Sequence, residues 1–413
     1  MSRVLLIGDL QDSGFAALRT RHFCEALDRP RTVDWRDDVP GVARDLAPEL
    51  IVTAGNHGPT RAALRALAGA SEVTQLAPML WLDVAGDPFA EAQAFAATQS
   101  DPRPAAVDAM AVWAAAYARA DAFSTVSAPG RHALLGSLGI LGRLPLFSPG
   151  EEPIHVLPCA ASFPDESGPA RGPGHRIALV GGFNTWFDDE TLLAGLLLAM
   201  ARGPVEVSVF GGAIAGHHTE GFDKFKAGAL ASAFAGRFRF HGWIPHGDLA
   251  AALAPAHATI CLDRAGPEAE LGARTRILYA LHQGLRVLTT TRSPIAAEAA
   301  AALLVEPLPA GCEVGAAAAA EALAQAVLRE GAAPPEASRR AWLKLRSVEA
   351  TTAPLRDWAA APRRSAQTAS ASLLDALTAE RDALRAQLKA MHASPTFKVL
   401  NAGVKLLPRR LRN

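Results

Sequence analysis

Apolar residues in this chain fall into short unbroken runs, separated by glycine-containing polar loops and by longer stretches with helical spacing. In the first part the runs are 3–7, 50–53, 78–82, 121–126 and 154–158. Such runs, bounded by turn residues, predict strands buried on both faces, as in a parallel sheet. Helical patterns lie between them, at 16–27, from Arg61, and from Pro129, where Ser127 is placed to cap. Residues 162–174 are rich in Pro, Gly and Ser and predict a linker. The pattern then restarts, with strands at 176–180, 205–210, 237–241, 259–262 and 287–290 and helices at 190–201 and 274–282. Ile277, Leu278 and Leu281 form one face of that last helix, and Gly284 stops it. Two successive strand–loop–helix halves predict an α/β chain of two Rossmann-like domains, 1–165 and 175–340, facing across a cleft. Ligands of such sheets sit in loops beyond the carboxyl ends of the strands.

The remainder predicts a C-terminal helical extension. Residues 315–330 read as a plain surface helix, 341–360 as a closing helix carrying Trp342, Leu345 and Trp358, and 361–372 as a polar linker. The segment 373–392 places Leu374, Leu377, Leu384, Leu388 and Met391 at heptad positions, with Arg381 at another. That is a short coiled-coil pattern and a means of self-association. The tail 393–413 holds five Lys or Arg and no acid beside an apolar stripe of Phe397, Leu400, Val404, Leu407 and Leu411. It reads as a helix lying on an anionic membrane surface through 394–413, or as a solvated or partner-docked tail.

Composition narrows this. Of 413 residues, 50% are hydrophobic and 20% charged, which is globular, and a formal net charge of zero gives no footing for nucleic acid. Cys24, Cys159, Cys261 and Cys312 are far apart, which argues for a reduced protein without a disulfide frame or zinc site. The N-terminus lacks a signal-peptide core, and no apolar run is long enough to span a bilayer. The expected location is cytoplasmic, with peripheral contact at the inner membrane face through the tail. No GxGxxG follows the first strand, so a dinucleotide is not indicated.

The candidate chemistry centres on 261–291. Its loop at 263–272 carries Glu268 and Glu270, and Arg274, Thr275 and Arg276 open the following helix. Free backbone N–H groups, a positive dipole end and two forked guanidinium groups suit a diphosphate, and a carboxylate upstream suits sugar hydroxyls. Gly8 and Gly14 either let the first loop approach a ligand or simply make its turn. Asp83 and Asp87, at the end of the 78–82 strand, are candidates to orient or deprotonate a hydroxyl, with His57 a weaker one. Asp188 and Asp189 sit at a helix start, where capping is favoured over a metal site.

These segments resemble GT-B glycosyltransferases, and more closely the family 4-type retaining enzymes of bacterial surface-polysaccharide synthesis. The resemblance covers roughly 3–360 and rests on DPFAE at 87–91, the 121–144 segment, GGFNTWFDDETLLAG at 181–195, the Gly-Trp-Ile-Pro stretch within 240–262, and Glu268 with 274–278. It implies transfer of a sugar from a nucleotide-sugar donor to a saccharide or lipid-linked acceptor, with retention and without metal or further cofactor. Arg274 and Arg276 would then stabilise the leaving diphosphate, with backbone N–H groups after Gly181 and Gly182 beside them. Gly14 would lie near the donor phosphate, Trp243 and Ile244 would flank the base, and Glu268 or Glu270 would hold donor hydroxyls. The first domain would bind the acceptor. Leu271 and Tyr279 stand where the resemblance leads one to expect glutamates, and Arg286 where it leads to proline. Tyr279 either meets the ribose or fills core. A nucleotide-sugar epimerase and a non-catalytic scaffold subunit are the competing readings.

Overall fold

The computed structural model describes residues 3–11, 14–74, 77–96, 102–144, 152–162, 175–214 and 219–365, together with scattered positions between 383 and 394. The first half forms an all-parallel sheet in the order β2-β1-β3-β4-β5-β6. Its strands are β1 (Val4–Gly8), β2 (Arg31–Asp34), β3 (Leu50–Thr53), β4 (Met79–Val84), β5 (Ala122–Thr125) and β6 (Ile154–Val156). The second half forms another, in the order β12-β11-β10-β7-β8-β9. It comprises β7 (His175–Gly182), β8 (Val205–Gly212), β9 (Phe238–Gly242), β10 (Ala258–Cys261), β11 (Arg286–Thr289) and β12 (Glu306–Pro307).

The central strands are apolar on both faces because helices cover both. Leu5, Leu6, Ile7, Leu50, Ile51 and Val52 are wholly buried, and each such side chain stabilises by roughly 1.5–3 kcal/mol. Strand order reverses between β1 and β3 in the first sheet and between β7 and β10 in the second, and the loops beyond those strands open a crevice. The two halves meet in a shared core that holds Ala85, Val126 and Cys159 from the first and Ala178, Val180 and Leu278 from the second. The final helix, Val348–Ala360, returns to the first domain, where Leu355 and Trp358 pack with Phe23 and Trp81.

Several expectations are corrected. β2 and β12 have no apolar run to announce them, since each is an edge strand with few inward positions. The predicted closing helix is two, Glu336–Lys344 and Val348–Ala360, broken where Ser347 caps the second through its bond from Ala350 N. The alanine-rich helix Ala316–Leu328 is not a plain surface helix: Leu323, Ala324 and Val327 are core residues. Small residues let it lie close against Asp189–Arg202, since a Cβ on Gly195 would meet Leu323 at 2.6 Å. The loop at 263–272 contains a helical turn, Pro267–Leu271. Of the 162–174 linker only residue 162 is described, and the tail 395–413 and most of the heptad positions lie outside the described residues. Among the described residues no helix is long and apolar enough to cross a membrane.

Candidate functional site

The crevice of the second sheet is built from backbone first. β7 and β8 end side by side in Gly181–Gly182 and Gly211–Gly212. Only glycine fits at 211: φ is +120°, and a Cβ there would come within 2.4 Å of the Gly181 carbonyl oxygen. The loop beyond β7 crosses to β10 through an antiparallel bridge between Phe187 and Asp263. This places the start of the helix Thr275–His282 beside the Gly181–Gly182 turn. No side chain caps that helix and Ile277 N donates to the Arg274 carbonyl at 3.0 Å, so among the described residues the N–H groups of Thr275 and Arg276 are the ones left for a ligand.

The two arginines at this helix mouth differ in role. Arg274 is 2% exposed and is already paired: its Nε lies 2.9 and 3.0 Å from the two carboxylate oxygens of Asp263, itself fully buried. Its other nitrogens donate to the carbonyls of Ala273 and Glu268, and its guanidinium stacks on Trp186. Arg276 has no such carboxylate. Nη2 donates to the Gly182 carbonyl at 2.7 Å and the guanidinium stands 4.9 Å from the Phe187 ring centroid, with no ion pair among the described residues. Burial pulls its pKa below the ordinary arginine range, with Cys261 and Asp263 opposing. Asp263, already held by Arg274, offsets the buried charge only in part, and an anionic ligand beside Arg276 lowers the remaining cost.

Glu268 and Glu270 separate in the same way. Glu270 is exposed on Pro267–Leu271, whereas Glu268 turns inward and accepts from Thr185 Oγ1 at 2.7 Å. Burial pushes the Glu268 carboxyl up to about 7; the Thr185 bond and Arg274 lower it, and Glu91 and Asp87 across the cleft raise it further. Because the folded pKa lies above the unfolded one, ionising Glu268 costs stability, and that loss accrues as pH rises from about 4.5 to 7. Thermal unfolding of Glu268→Gln beside the parent should show the variant gaining relative stability between pH 5 and 8. Parallel curves would remove the buried-acid assignment.

Thr275 is half-buried at the helix start, and Gly14, at φ +96°, has open space around it as it begins the helix Phe15–Ala26. Trp243 is 43% exposed beyond β9, fixed by Nε1 donating to the Ala213 carbonyl at 2.7 Å, while Ile244 packs into the shared core. Tyr279 is committed to His246, with its hydroxyl 2.8 Å from Nδ1. Arg286 is structural, bonding Glu306 and the carbonyls of Ala326 and Arg329. Asp188 caps Asp189–Arg202 by accepting from Thr191 N at 3.1 Å.

In the first domain, Asp83 does not fit the role of an acceptor base. It is 0% exposed, and its oxygens accept from Arg19 at 2.8 and 3.1 Å, Gly55 N at 2.9 Å and Ser124 Oγ at 2.7 Å. Arg19 also holds the carbonyls of Leu157 and Pro158, so this pair fixes the exit of the chain toward the second domain. Asp87 is half-buried and caps Pro88–Ala96 through Ala90 N at 2.7 Å, and burial raises its pKa. His57 is instead partnered by Glu91 at the cleft. Asp263, Thr185, Glu91 and Arg19, which set the roles of the predicted residues, were not found from sequence; each lies far along the chain from its partner or within a polar loop that carries no period.

No family model matches this chain, and no curated protein matches it in sequence. Its structure is similar to solved ones. HepE of Anabaena in complex with UDP and glucose superposes with a TM-score of 0.61 at 11% identity, covering 87% of this chain and 100% of that one. A sucrose-phosphate synthase from Thermosynechococcus elongatus gives 0.55 at 14%, covering 87% and 98%. A UDP-forming trehalose-phosphate synthase from Burkholderia xenovorans, in complex with glucose-6-phosphate, gives 0.55 at 12%, covering 86% and 99%. The fold is therefore the GT-B fold, two Rossmann-like domains across a cleft.

Proposed function

We propose that this chain is a glycosyltransferase that moves a sugar from a nucleotide-sugar donor to a saccharide or lipid-linked acceptor, in cell-surface polysaccharide synthesis. One observation carries the reading. Arg276 is a buried guanidinium without a carboxylate partner among the described residues, and it stands between an uncapped helix start and a glycine turn at the strand-order reversal of the second sheet. A diphosphate fits there: helix N–H groups, the dipole end and Arg276 neutralise it without a metal ion. As the glycosidic bond breaks, negative charge grows on the diphosphate, and these groups stabilise it at the moment it forms. Arg274 acts indirectly, by holding Asp263 and the Glu268 carbonyl so that the loop keeps its shape.

Around the phosphates, exposed Trp243 offers a face to the base and Glu268 faces the donor sugar. The solved GT-B structures with UDP and with glucose support a uridine donor and a hexose. In this reading the donor's anomeric configuration is retained, and the tail 394–413 holds the enzyme at an anionic membrane surface, with 373–392 available for self-association.

Thermal shift of the full chain across UDP-, GDP- and TDP-sugars tests the donor site. One nucleotide class should raise the midpoint by several degrees, and Trp243→Ala should weaken that class by about ten-fold, the scale of one base–aromatic stacking contact. No stabilisation by any of them would end the reading. Binding without transfer to any acceptor would favour the scaffold alternative.

A further inference from the structure

We infer that His57 and Glu91 form a grip for two neighbouring hydroxyls of a saccharide acceptor on the first domain. The inference rests on the glycosyltransferase reading, which gives the donor to the second domain and leaves this wall of the cleft to the acceptor. The geometry stands by itself. His57 follows β3 at the reversal point of the first sheet, where an open parallel sheet makes its crevice. Its backbone has φ +55° and ψ −85°, a left-handed conformation that a residue other than glycine keeps only where its surroundings enforce it.

Those surroundings form a rigid pair. His57 Nε2 lies 2.7 Å from Glu91 Oε2, and the ring meets Trp113 edge-on at 5.8 Å. Asn56 ties the pair to the wall: its Oδ1 accepts from Ala85 N at 2.9 Å and its Nδ2 donates to Glu91 Oε2 at 3.4 Å. With Nε2 bonded to Glu91, Nδ1 is the ring nitrogen left for a ligand, and a hydroxyl, both donor and acceptor, bonds it in either protonation state of the ring. The other carboxylate oxygen, Glu91 Oε1, lies over Gly86, where a Cβ would come within 2.4 Å of it. Among the described residues neither His57 Nδ1 nor Glu91 Oε1 has a hydrogen-bond donor, and the two side chains are 41% and 26% exposed.

A ring nitrogen and a carboxylate oxygen on one rigid pair suit two hydroxyls held together. Adjacent sugar hydroxyls bond both, whereas a phosphate or carboxylate would meet the acidic groups of this wall. The charges that face the pair are acidic: Asp87 on the approach to its own helix, and Glu268 from Pro267–Leu271, which packs against Pro88–Ala96. The occupant is therefore a neutral, hydroxyl-rich sugar end, and any phosphate of a lipid-linked acceptor points away from this wall. His57 and Glu91 are the contacting groups, and Glu91 also fixes the orientation of the ring.

The test uses the full chain with UDP-, GDP- and TDP-glucose offered in turn as donor and a panel of neutral monosaccharides as acceptors. Hydrolysis by water in the same mixture is the internal control. Glu91→Gln and His57→Ala should each raise the acceptor KM roughly ten-fold or more, the scale of a lost hydrogen bond to a charged group. Both should divert turnover from transfer to hydrolysis and leave nucleotide affinity unchanged. Gly86→Ala, which displaces Oε1 but keeps the charge, should give a smaller rise in KM; the obstructing atom is the far end of a flexible side chain, so the fold is spared. An unchanged acceptor KM, or equal losses of transfer and hydrolysis, overturns the grip. So does donor hydrolysis with no transfer to any neutral sugar. If the parent chain neither binds nor turns over any of the three donors, the glycosyltransferase reading has failed, and the grip with it.

Discussion

Arg276→Ala should abolish measurable nucleotide affinity and lower transfer by about 10²–10³-fold, the scale seen when one preorganised charge-stabilising donor is removed from an active site. The fold should survive. Among the described residues Arg276 makes one hydrogen bond, to the Gly182 carbonyl, and has no carboxylate that its removal would strand. Truncation relieves a buried cation rather than orphaning an anion. Calorimetric titration with UDP, beside thermal unfolding of the same preparation, checks both halves. A variant that keeps its nucleotide affinity would take Arg276 out of the donor site.

Arg274→Ala should behave in the opposite way. It strands Asp263, which is fully buried and bonded to Arg274 through both oxygens. Burial pushes the Asp263 carboxyl up, and Arg274 is the first of the groups that pull it back. Breaking such a pair from one side costs about 3–5 kcal/mol. For a chain of 413 residues that is about 5 °C in the unfolding midpoint. Any loss of activity would then follow from a loosened loop, and Arg274→Ala with Asp263→Asn should recover part of the stability. Urea unfolding of the single and double variants decides it: an Arg274→Ala protein as stable as its parent would show that the pair is not what holds the loop.

The contrast between these neighbours changes how the motif is read. In sequence, Arg274 and Arg276 are equivalent, two guanidinium groups at one helix start. A carboxylate at the end of β10 claims the first and leaves the second to the cleft. The same holds for the acids. Asp83 and Asp87 look like a catalytic pair, yet Arg19, Ser124 and a backbone N–H saturate Asp83, and Asp87 caps a helix. His57, the weaker candidate, emerges facing the cleft because Glu91 holds it there.

The sequence by itself determined the architecture. Continuous apolar runs demand burial on both faces, and alternation with helical spacing leaves only a parallel sheet layered by helices, repeated twice. The strands of both sheets other than β2 and β12, the glycine turn at Gly181–Gly182 and the helix beginning at Thr275 followed from local pattern. Only the tertiary structure decided which charged side chains are free. Pairing of Arg274 with Asp263, of Glu268 with Thr185 and of Arg19 with Asp83 depends on where chain crossings bring side chains together, up to 83 positions apart in the case of Glu268. A one-dimensional pattern records burial and periodicity, because those act through neighbours along the chain. It does not record which opposite charge waits across a crevice, and that alone separates a residue that holds the fold from one left to hold a ligand.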